Sequence, residues 1–205
     1  MASLDEISQK YFLDKNGYHN YVQGYASLFD SVRANVNTVL EIGVGSVENN
    51  QMHHVAVQGY KTGNSLRCWR DYFPLAKVYG VDIFDVSDQM SDDERIVTYV
   101  GDQGNANDLF NVVQSIGVDL DVIVDDGSHI MEHQVFSFIF LEKYLSRGGI
   151  YVIEDIQGFN IPYFQDLSCF TDKYREYIKK KYEIKYFDTR HTHKSDDFMI
   201  AFIKK

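Results

Sequence analysis

Residues 119–129, DLDVIVDDGSH, constrain the fold of this chain more than any other stretch. The stretch begins with a short β-branched apolar run, residues 122–124, of the length and composition of a buried strand. The run ends abruptly in two carboxylates, a glycine, a serine and a histidine, which do not suit a strand interior. Open α/β folds place such polar groups, and the ligands they bind, at the carboxyl ends of parallel strands. The stretch therefore predicts a parallel sheet with a ligand site along that edge.

A second acidic strand end repeats the pattern. Residues 150–153, IYVI, are followed by Glu154 and Asp155. If the two strands are neighbours, these carboxylates converge with Asp126 and with the imidazole of His129. Three oxygen donors and one base predict a divalent-metal site with a proton acceptor. Since consecutive strand residues point to opposite faces, convergence requires the backbone to turn at Glu154. The alternative is that the carboxylates cap helices or bind cofactor hydroxyls without a metal.

A glycine-rich turn follows the first predicted strand, Thr38–Ile42. Glu41 lies inside that strand, and Gly43 and Gly45 let the backbone pass close to a ligand. The dinucleotide fingerprint requires a third glycine and an immediate helix. Here a polar insertion, residues 46–63, precedes the next helix, predicted at 66–73 with a cap at Asn64 or Ser65. This departure disfavours a nicotinamide dinucleotide as the ligand.

The remaining strands complete a β/α alternation. Residues 78–84 form the second strand, whose Asp82 is suited to accept both hydroxyls of a ribose or else to cap the loop. Residues 96–100 form the third, with Asp102 and Gln103 after it. Helices are predicted at 107–116, 131–145 and within 163–181. The last two strands, 182–187 and 198–203, are joined by too short a link for a crossover helix and should pair antiparallel.

Together these elements predict a three-layer, Rossmann-like α/β fold with a mostly parallel seven-stranded sheet and a C-terminal antiparallel hairpin. Residues 1–205 would form a single domain. Residues 1–37 would be a helical cover on the sheet, with aromatic side chains at helical spacing. The alternative for this segment is a flap in which His19 or Tyr21 touches the ligand.

Composition excludes several classes of function. A net charge of −10 argues against a general nucleic-acid binder. No apolar run is long enough to span a membrane, and Cys68 and Cys169 are expected to be reduced thiols in a cytoplasmic protein. The 15 Tyr and 14 Phe predict a large aromatic core and weakly favour a homo-oligomer. Four further histidines are expected to be solvent-exposed: His53, His54, His191 and His193.

Six blocks of sequence, taken in order, resemble a known family. They are LEIGVGS, GNSLRCWRDYFP, YGVDIFD, GDQ, DDGSH and VIEDI, between residues 38 and 157. The segment before them, DKNGYHNYVQGYASLF, is also similar to the family's sequence at that place. The chain resembles the class I S-adenosylmethionine-dependent methyltransferases, and among them the metal-dependent macrolide sugar O-methyltransferases of the mycinamicin and macrocin type. Enzymes of this type can carry an extra N-terminal domain, which is not expected in a sequence of this length.

The resemblance implies a role for each residue at the strand ends. The residues expected to bind S-adenosylmethionine are Glu41, Gly43, Gly45 and Ser65 at the methionine part, Asp82 at the ribose, Asp102 and Gln103 at the adenine, and Asp126. Asp126, Glu154 and Asp155 would bind Mg²⁺, and His129 would be the general base.

The expected reaction is methylation of a hydroxyl on a saccharide, nucleotide-sugar or glycoside. The alternatives are a catechol-type small-molecule O-methyltransferase, with the same site and an aromatic diol as acceptor, and an oxygenase on the same scaffold. Three carboxylates with one histidine disfavour the iron that an oxygenase requires. The acceptor is not implied by the resemblance, because residues 46–63 and the C-terminal part show no match.

Overall fold

Seven strands lie in one sheet. The computed structural model describes residues 1–49, 52, 59–191 and 195–205, so His53, His54 and His193 lie outside the described residues. In chain order the strands are β1 (Thr38–Ile42), β2 (Lys77–Asp82), β3 (Ile96–Val100), β4 (Leu120–Asp125), β5 (Leu145–Ile153), β6 (Tyr182–Asp188) and β7 (Phe198–Lys204).

The strand order across the sheet is β3-β2-β1-β4-β5-β7-β6. Strands β1 to β5 pair in parallel, whereas β7 is antiparallel to both β5 and β6. The predicted fold class, with its C-terminal antiparallel hairpin, is confirmed.

Helices cover both faces of the sheet. The described residues contain α1 (Leu4–Lys10), α2 (Val22–Phe29), α3 (Asn64–Tyr72), α4 (Ala106–Ile116), α5 (Met131–Leu141), α6 (Ile161–Gln165) and α7 (Asp172–Lys181). Side chains alternate across each strand, so Val39 and Val122 pack with α1 to α3, and Leu40 and Ile123 pack with α4 to α7. Within the described residues no helix is long and apolar enough to cross a membrane.

Two predicted element boundaries are wrong. Helix α3 begins at Asn64 after a left-handed Gly63, so neither Asn64 nor Ser65 is the cap. Their side chains bond instead to the carbonyl of Tyr11 and to Glu41. Helix α5 ends at Leu141, and after one 3₁₀ turn, Glu142–Tyr144, β5 begins at Leu145. Residues 147–149 are therefore inside a strand, at a shift in the register between β4 and β5, and regular pairing resumes at Ile150.

Register brings three strand ends to one level. Ile42 pairs with Asp125, and Asp125 pairs with Ile153. The N–H of Asp126 donates to the carbonyl of Ile42, and the N–H of Glu154 donates to that of Asp125, each at 2.9 Å. The glycine turn and both acidic segments therefore emerge side by side at the carboxyl edge of the sheet.

The N-terminal segment is anchored to this body through Asp71 of α3. Its carboxylate accepts hydrogen bonds from Lys10 Nζ at 2.8 Å, Tyr11 Oη at 2.7 Å and Arg70 Nε at 2.9 Å. Burial would raise the pKa of Asp71, but these hydrogen bonds outweigh it and lower the pKa to about 2. These bonds attach the N-terminal segment to α3.

We predict that Asp71→Asn lowers the free energy of unfolding at pH 7 by about 1 kcal/mol, a figure that allows for solvent screening. A lowered carboxyl pKa stabilises the fold above the unfolded-state pKa near 4, and that contribution is lost as pH falls towards 2. The difference between variant and wild type in urea titrations should therefore shrink below pH 4. Glu176→Gln, at an exposed Lys179 pair, is the matched control and should change little. A difference that persists unchanged at pH 2.5 would contradict the assignment.

Candidate active site

A cavity of about 530 Å³ opens at the carboxyl edge of the sheet. Its size is that of a small-molecule or cofactor site. The walls come from the ends of β1 to β5 and from residues 14–19 of the N-terminal cover. The predicted site residues that line it are Gly43, Gly45, Ser65, Asp82, Asp102, Gln103, Asp126, His129 and Asp155. Glu41 and Glu154 lie behind this wall.

The turn after β1 can be built only with glycine at position 43. Gly43 has a φ of +83°, and a Cβ there would lie 2.1 Å from the carbonyl oxygen of Asp126. Gly45 is also left-handed, at +75°. Such backbone favours glycine because other residues meet steric strain there. The β1 turn therefore runs directly against the β4 turn, and both border the cavity.

Asp82 holds this turn in place. One carboxylate oxygen accepts from the N–H groups of Val44 at 2.9 Å and Gly45 at 3.2 Å, and the other accepts from Phe84 N–H at 3.0 Å. This is the loop-capping arrangement considered from the sequence. Asp82 also lines the cavity, where its remaining lone pairs are available to ribose hydroxyls.

Gln103 joins the ends of β3 and β4 rather than leaving its amide free for a ligand. Its Nε2 donates to the buried Asp125 at 2.6 and 2.8 Å, and its Oε1 accepts from Ser128 N–H at 3.0 Å. Burial raises the pKa of Asp125 to about 6, against the hydrogen bonds that it accepts. This network fixes the segment that carries His129. Asp102, which caps Gly104 at 2.8 Å, is the freer of the two residues predicted at the adenine.

Three groups able to bind a metal meet at the cavity wall. One ligand atom each of Asp126, His129 and Asp155 lies within 4.8 Å of the others. His129 Nε2 is 3.2 Å from Asp126 Oδ1 and 3.9 Å from Asp155 Oδ2. Both His129 and Asp155 have left-handed backbone, with φ of +56° and +50°. Left-handed non-glycine residues are strained and cluster at functional sites.

Electrostatics at this wall follow from burial of like charges. Burial alone would lower the pKa of His129, but the hydrogen bond and charge of Asp126, with the charge of Asp155, raise it to about 9. Burial and the neighbouring Asp126 raise the pKa of Asp155 to about 6. Crowded carboxylates of this kind favour any cation that can lie between them.

A buried lysine provides one such cation. Lys15 Nζ lies 2.5 Å from Asp126 Oδ2, 2.9 Å from Glu154 Oε1 and 3.7 Å from Glu41 Oε1. Burial would lower the pKa of Lys15, but these three charges outweigh it and raise the pKa. Glu154 also accepts from Tyr25. Asp126 is therefore shared, with one oxygen on Lys15 and the other on His129.

Glu41 is anchored beneath the cavity. It accepts hydrogen bonds from Ser65 Oγ at 2.7 Å and from Trp69 Nε1 at 3.2 Å. Burial raises its pKa to about 7, with the charge of Lys15 opposing the shift. Its side chain positions Ser65, which does line the cavity.

Sequence reasoning missed Lys15 and His133. His133, on the first turn of α5, lines the cavity and bonds Ser128 Oγ through Nδ1 at 3.0 Å. A signal for Lys15 existed, because four acidic residues at one strand edge exceed the charge of one divalent cation and require a further buried cation. Three residues of the N-terminal segment, Asp14, Lys15 and His19, also line the cavity.

Individual known proteins are similar to this chain. No protein-family model matches the chain. The chain is 40% identical over 165 residues to 8-demethyl-8-alpha-L-rhamnosyl tetracenomycin-C 2'-O-methyltransferase of Streptomyces olivaceus, covering 80% of this chain and 40% of that one. It is 38% identical over 154 residues to mycinamicin VI 2''-O-methyltransferase of Micromonospora griseorubida, covering 75% of this chain and 36% of that one.

The chain is a homologue of sugar O-methyltransferases. It spans about 40% of the length of these curated relatives. MycE methyltransferase from the mycinamycin biosynthetic pathway, solved with Mg, SAH and mycinamycin VI, superposes with a TM-score of 0.74 at 27% identity. That alignment covers 99% of this chain and 53% of MycE. The class I methyltransferase resemblance drawn from the six blocks is confirmed.

We predict that Lys15→Met lowers the free energy of unfolding by about 3–5 kcal/mol at pH 7, because it leaves three buried carboxylates without their cation. Urea denaturation at pH 7 measures the loss. Lys61→Met, at an exposed position in the described part of the insertion, is the matched control. Equal stability of the Lys15 variant and wild type without added metal would show that the ammonium is not needed to balance the cluster.

Proposed function

We propose that this homologue transfers a methyl group from S-adenosylmethionine to a hydroxyl group of a saccharide, with Mg²⁺ at the acidic wall and His129 as general base. The observation that carries the proposal is the position of Asp126, between His129 and the acidic strand ends and against the glycine turn of β1. The relatives named above act on sugars of macrolide and tetracenomycin compounds, which supports a saccharide acceptor.

The cofactor would lie along the ends of β1, β2 and β3. When bound, S-adenosylmethionine supplies an electrophilic methyl group and leaves as a neutral thioether. Gly43 and Gly45 allow close approach of the backbone, Asp82 faces the ribose and Asp102 faces the adenine. Gln103 serves this half indirectly, because its amide is committed to Asp125 and Ser128. His133 and the exposed Ile83 complete the wall beside it.

The metal would be held by Asp126 and Asp155, with Glu154 as the third carboxylate. Oxygen donors match the preference of Mg²⁺, whereas the imidazole of His129 does not. Glu154 Oε1 and Asp126 Oδ2 already converge on one positive charge, the ammonium of Lys15. A bound Mg²⁺ lowers the pKa of a coordinated hydroxyl and fixes its direction.

The protein's own contribution to the reaction is orientation and proton acceptance. A hydroxyl is a poor nucleophile at neutral pH, so its proton must be removed as the oxygen forms its bond to the methyl carbon. His129 lines the cavity and is the base that would accept that proton. Asp126 accepts a hydrogen bond from Nε2 and so orients the ring, which leaves Nδ1 as the nitrogen to take the proton. The rigid β4 segment, held by Gln103, keeps this geometry without rearrangement.

The proposal also covers properties beyond the reaction. Residues 1–205 would form one methyltransferase domain, because all seven strands join one sheet. A cytoplasmic location fits the free thiols of Cys68 and Cys169. Homology favours methyl transfer over the oxygenase alternative. An aromatic diol is the alternative to a saccharide as the acceptor.

We predict that EDTA abolishes methyl transfer to a saccharide panel and that added Mg²⁺ restores it. His129→Ala should lower kcat by about 10²–10⁴-fold, the usual effect of a positioned base, without changing the affinity for S-adenosylhomocysteine. His191→Ala, an exposed histidine, is the control. Full activity in EDTA or in the His129 variant would refute the mechanism.

We predict that Asp155→Asn and Glu154→Gln each weaken Mg²⁺ binding about tenfold or more, measured by calorimetry on the complex with S-adenosylhomocysteine. Unchanged Mg²⁺ affinity in Glu154→Gln, together with a loss in Asp155→Asn, would remove Glu154 from the ligand set. Glu183→Gln, at an exposed β6 position, provides the baseline.

A further inference from the structure

Besides His129, the imidazole of His19 lines the cavity beside Asp155. His19, in the cover segment before α2, lines the cavity and is otherwise buried. Its Nδ1 lies 3.5 Å from Asp155 Oδ1, whereas His129 Nε2 lies 3.9 Å from Asp155 Oδ2. The carboxylate of Asp155 is therefore flanked by one imidazole at each oxygen.

The His19 ring is held rigidly. Nδ1 bonds the fully buried Asp197 Oδ1 at 2.8 Å. The ring stacks on Tyr21, with centroids 5.4 Å apart and planes 12° apart, and Tyr18 packs edge-on at 4.8 Å. A side chain fixed from three sides loses little entropy when it binds a ligand.

The backbone around His19 is fixed by the C-terminal hairpin. Thr189 Oγ1 donates to the carbonyl of His19 at 2.8 Å, and Thr189 N–H donates to the carbonyl of Asp197 at 2.9 Å. The following residue, Asn20, has a φ of +60°, a strained conformation for a residue with a side chain. The hairpin thus fixes both the backbone and the ring of His19.

The remaining ring nitrogen is available to a ligand. Nε2 of His19 has no hydrogen-bond partner among residues 1–49, 52, 59–191 and 195–205. Since a hydroxyl both donates and accepts, Nε2 can bond one whether or not it carries a proton. The part of the proposed site nearest to His19 is the acceptor half, at Asp155, and not the adenine half, at Asp102.

We propose that His19, oriented by Asp197, binds a second hydroxyl of the acceptor, on the carbon next to the one that bears the methylated hydroxyl. This inference rests on the proposed function, since it concerns the same acceptor. His129 faces the reacting hydroxyl from one side of Asp155, and His19 binds its neighbour from the other. The enzyme then selects acceptors with adjacent hydroxyl groups, and the C-terminal hairpin contributes to that selection through Asp197.

Two pairs of acceptors test the proposal: methyl α-L-rhamnoside against its 3-deoxy analogue, whose remaining hydroxyls at C2 and C4 are not adjacent, and catechol against phenol. Acceptor dissociation constants are measured by calorimetry with S-adenosylhomocysteine and Mg²⁺ present, and kcat and KM by methyl transfer. In the pair whose diol the wild type methylates, it should bind that diol more tightly than the analogue without adjacent hydroxyls.

The variants separate binding from structural support. The amide of Asn matches the Nδ1 position, so His19→Asn keeps the Asp197 contact and loses Nε2. It should weaken binding of the acceptor with adjacent hydroxyls about 10- to 100-fold, through KM more than kcat, and leave binding of the acceptor without them unchanged. The amide of Gln reaches the Nε2 position, so His19→Gln should recover part of the preference. Asp197→Asn should cause a smaller loss of the same kind, and His191→Gln, on the same hairpin, none.

Three outcomes would overturn the proposal: equal weakening in His19→Asn of binding to acceptors with and without adjacent hydroxyls, no weakening of either, or a wild type that binds both acceptors of a pair equally. Should His19→Asn melt below the assay temperature, Asp197→Asn decides by the same comparison. Turnover of catechol but not of the rhamnoside refutes the saccharide acceptor and leaves the His19 test to the aromatic pair. No methyl transfer to any acceptor refutes both proposals.

Discussion

Charge balance at the carboxyl edge of the sheet is the constraint on which the rest of the structure depends. Four carboxylates, those of Glu41, Asp126, Glu154 and Asp155, are buried or nearly so within one rim. Isolated buried charge is too costly to retain, so a cation must lie among them. Lys15 provides that cation from outside the sheet. The N-terminal segment is therefore part of the site, and its attachment to α3 through Asp71 helps to hold Lys15 in place.

Strand register and hydrogen bonds within the protein hold the geometry of the site. The register of β1, β4 and β5 brings the turns together, and Gly43 allows them to touch. Asp125 and Gln103, neither of them proposed to touch the reacting groups, fix the segment that carries His129. Left-handed backbone at His129 and Asp155 then aims both side chains into the cavity. Strain at these two residues is balanced by the hydrogen bonds that surround them.

The N-terminal and C-terminal segments meet at the side of the cavity nearest Asp155. Residues before α2 supply Lys15 and His19, and the loop before β7 supplies Asp197 to orient His19. The residues nearest Asp82 and Asp102, by contrast, come from the ends of the parallel strands themselves. One side of the cavity is thus built by the sheet and the other by segments attached to it.

Local pattern was sufficient for the sheet, because β-branched runs and the Gly-x-Gly turn restrict the backbone within a few residues. It was sufficient too to place Asp126, His129 and Asp155 close together, because the carboxyl ends of parallel strands share one edge. It failed at the end of α5, where β5 continues through a glycine pair that by itself indicates a stop.

What the sequence by itself determined is therefore the order of strands and helices and the acidic edge. Only the tertiary structure decided that Lys15 lies between Asp126 and Glu154, that Gln103 is committed to Asp125, and that Asp197 holds His19. These partners lie from 22 to 178 residues apart in the chain. No local periodicity encodes such pairs, because the free energy that selects them arises only when folding removes their charges from water.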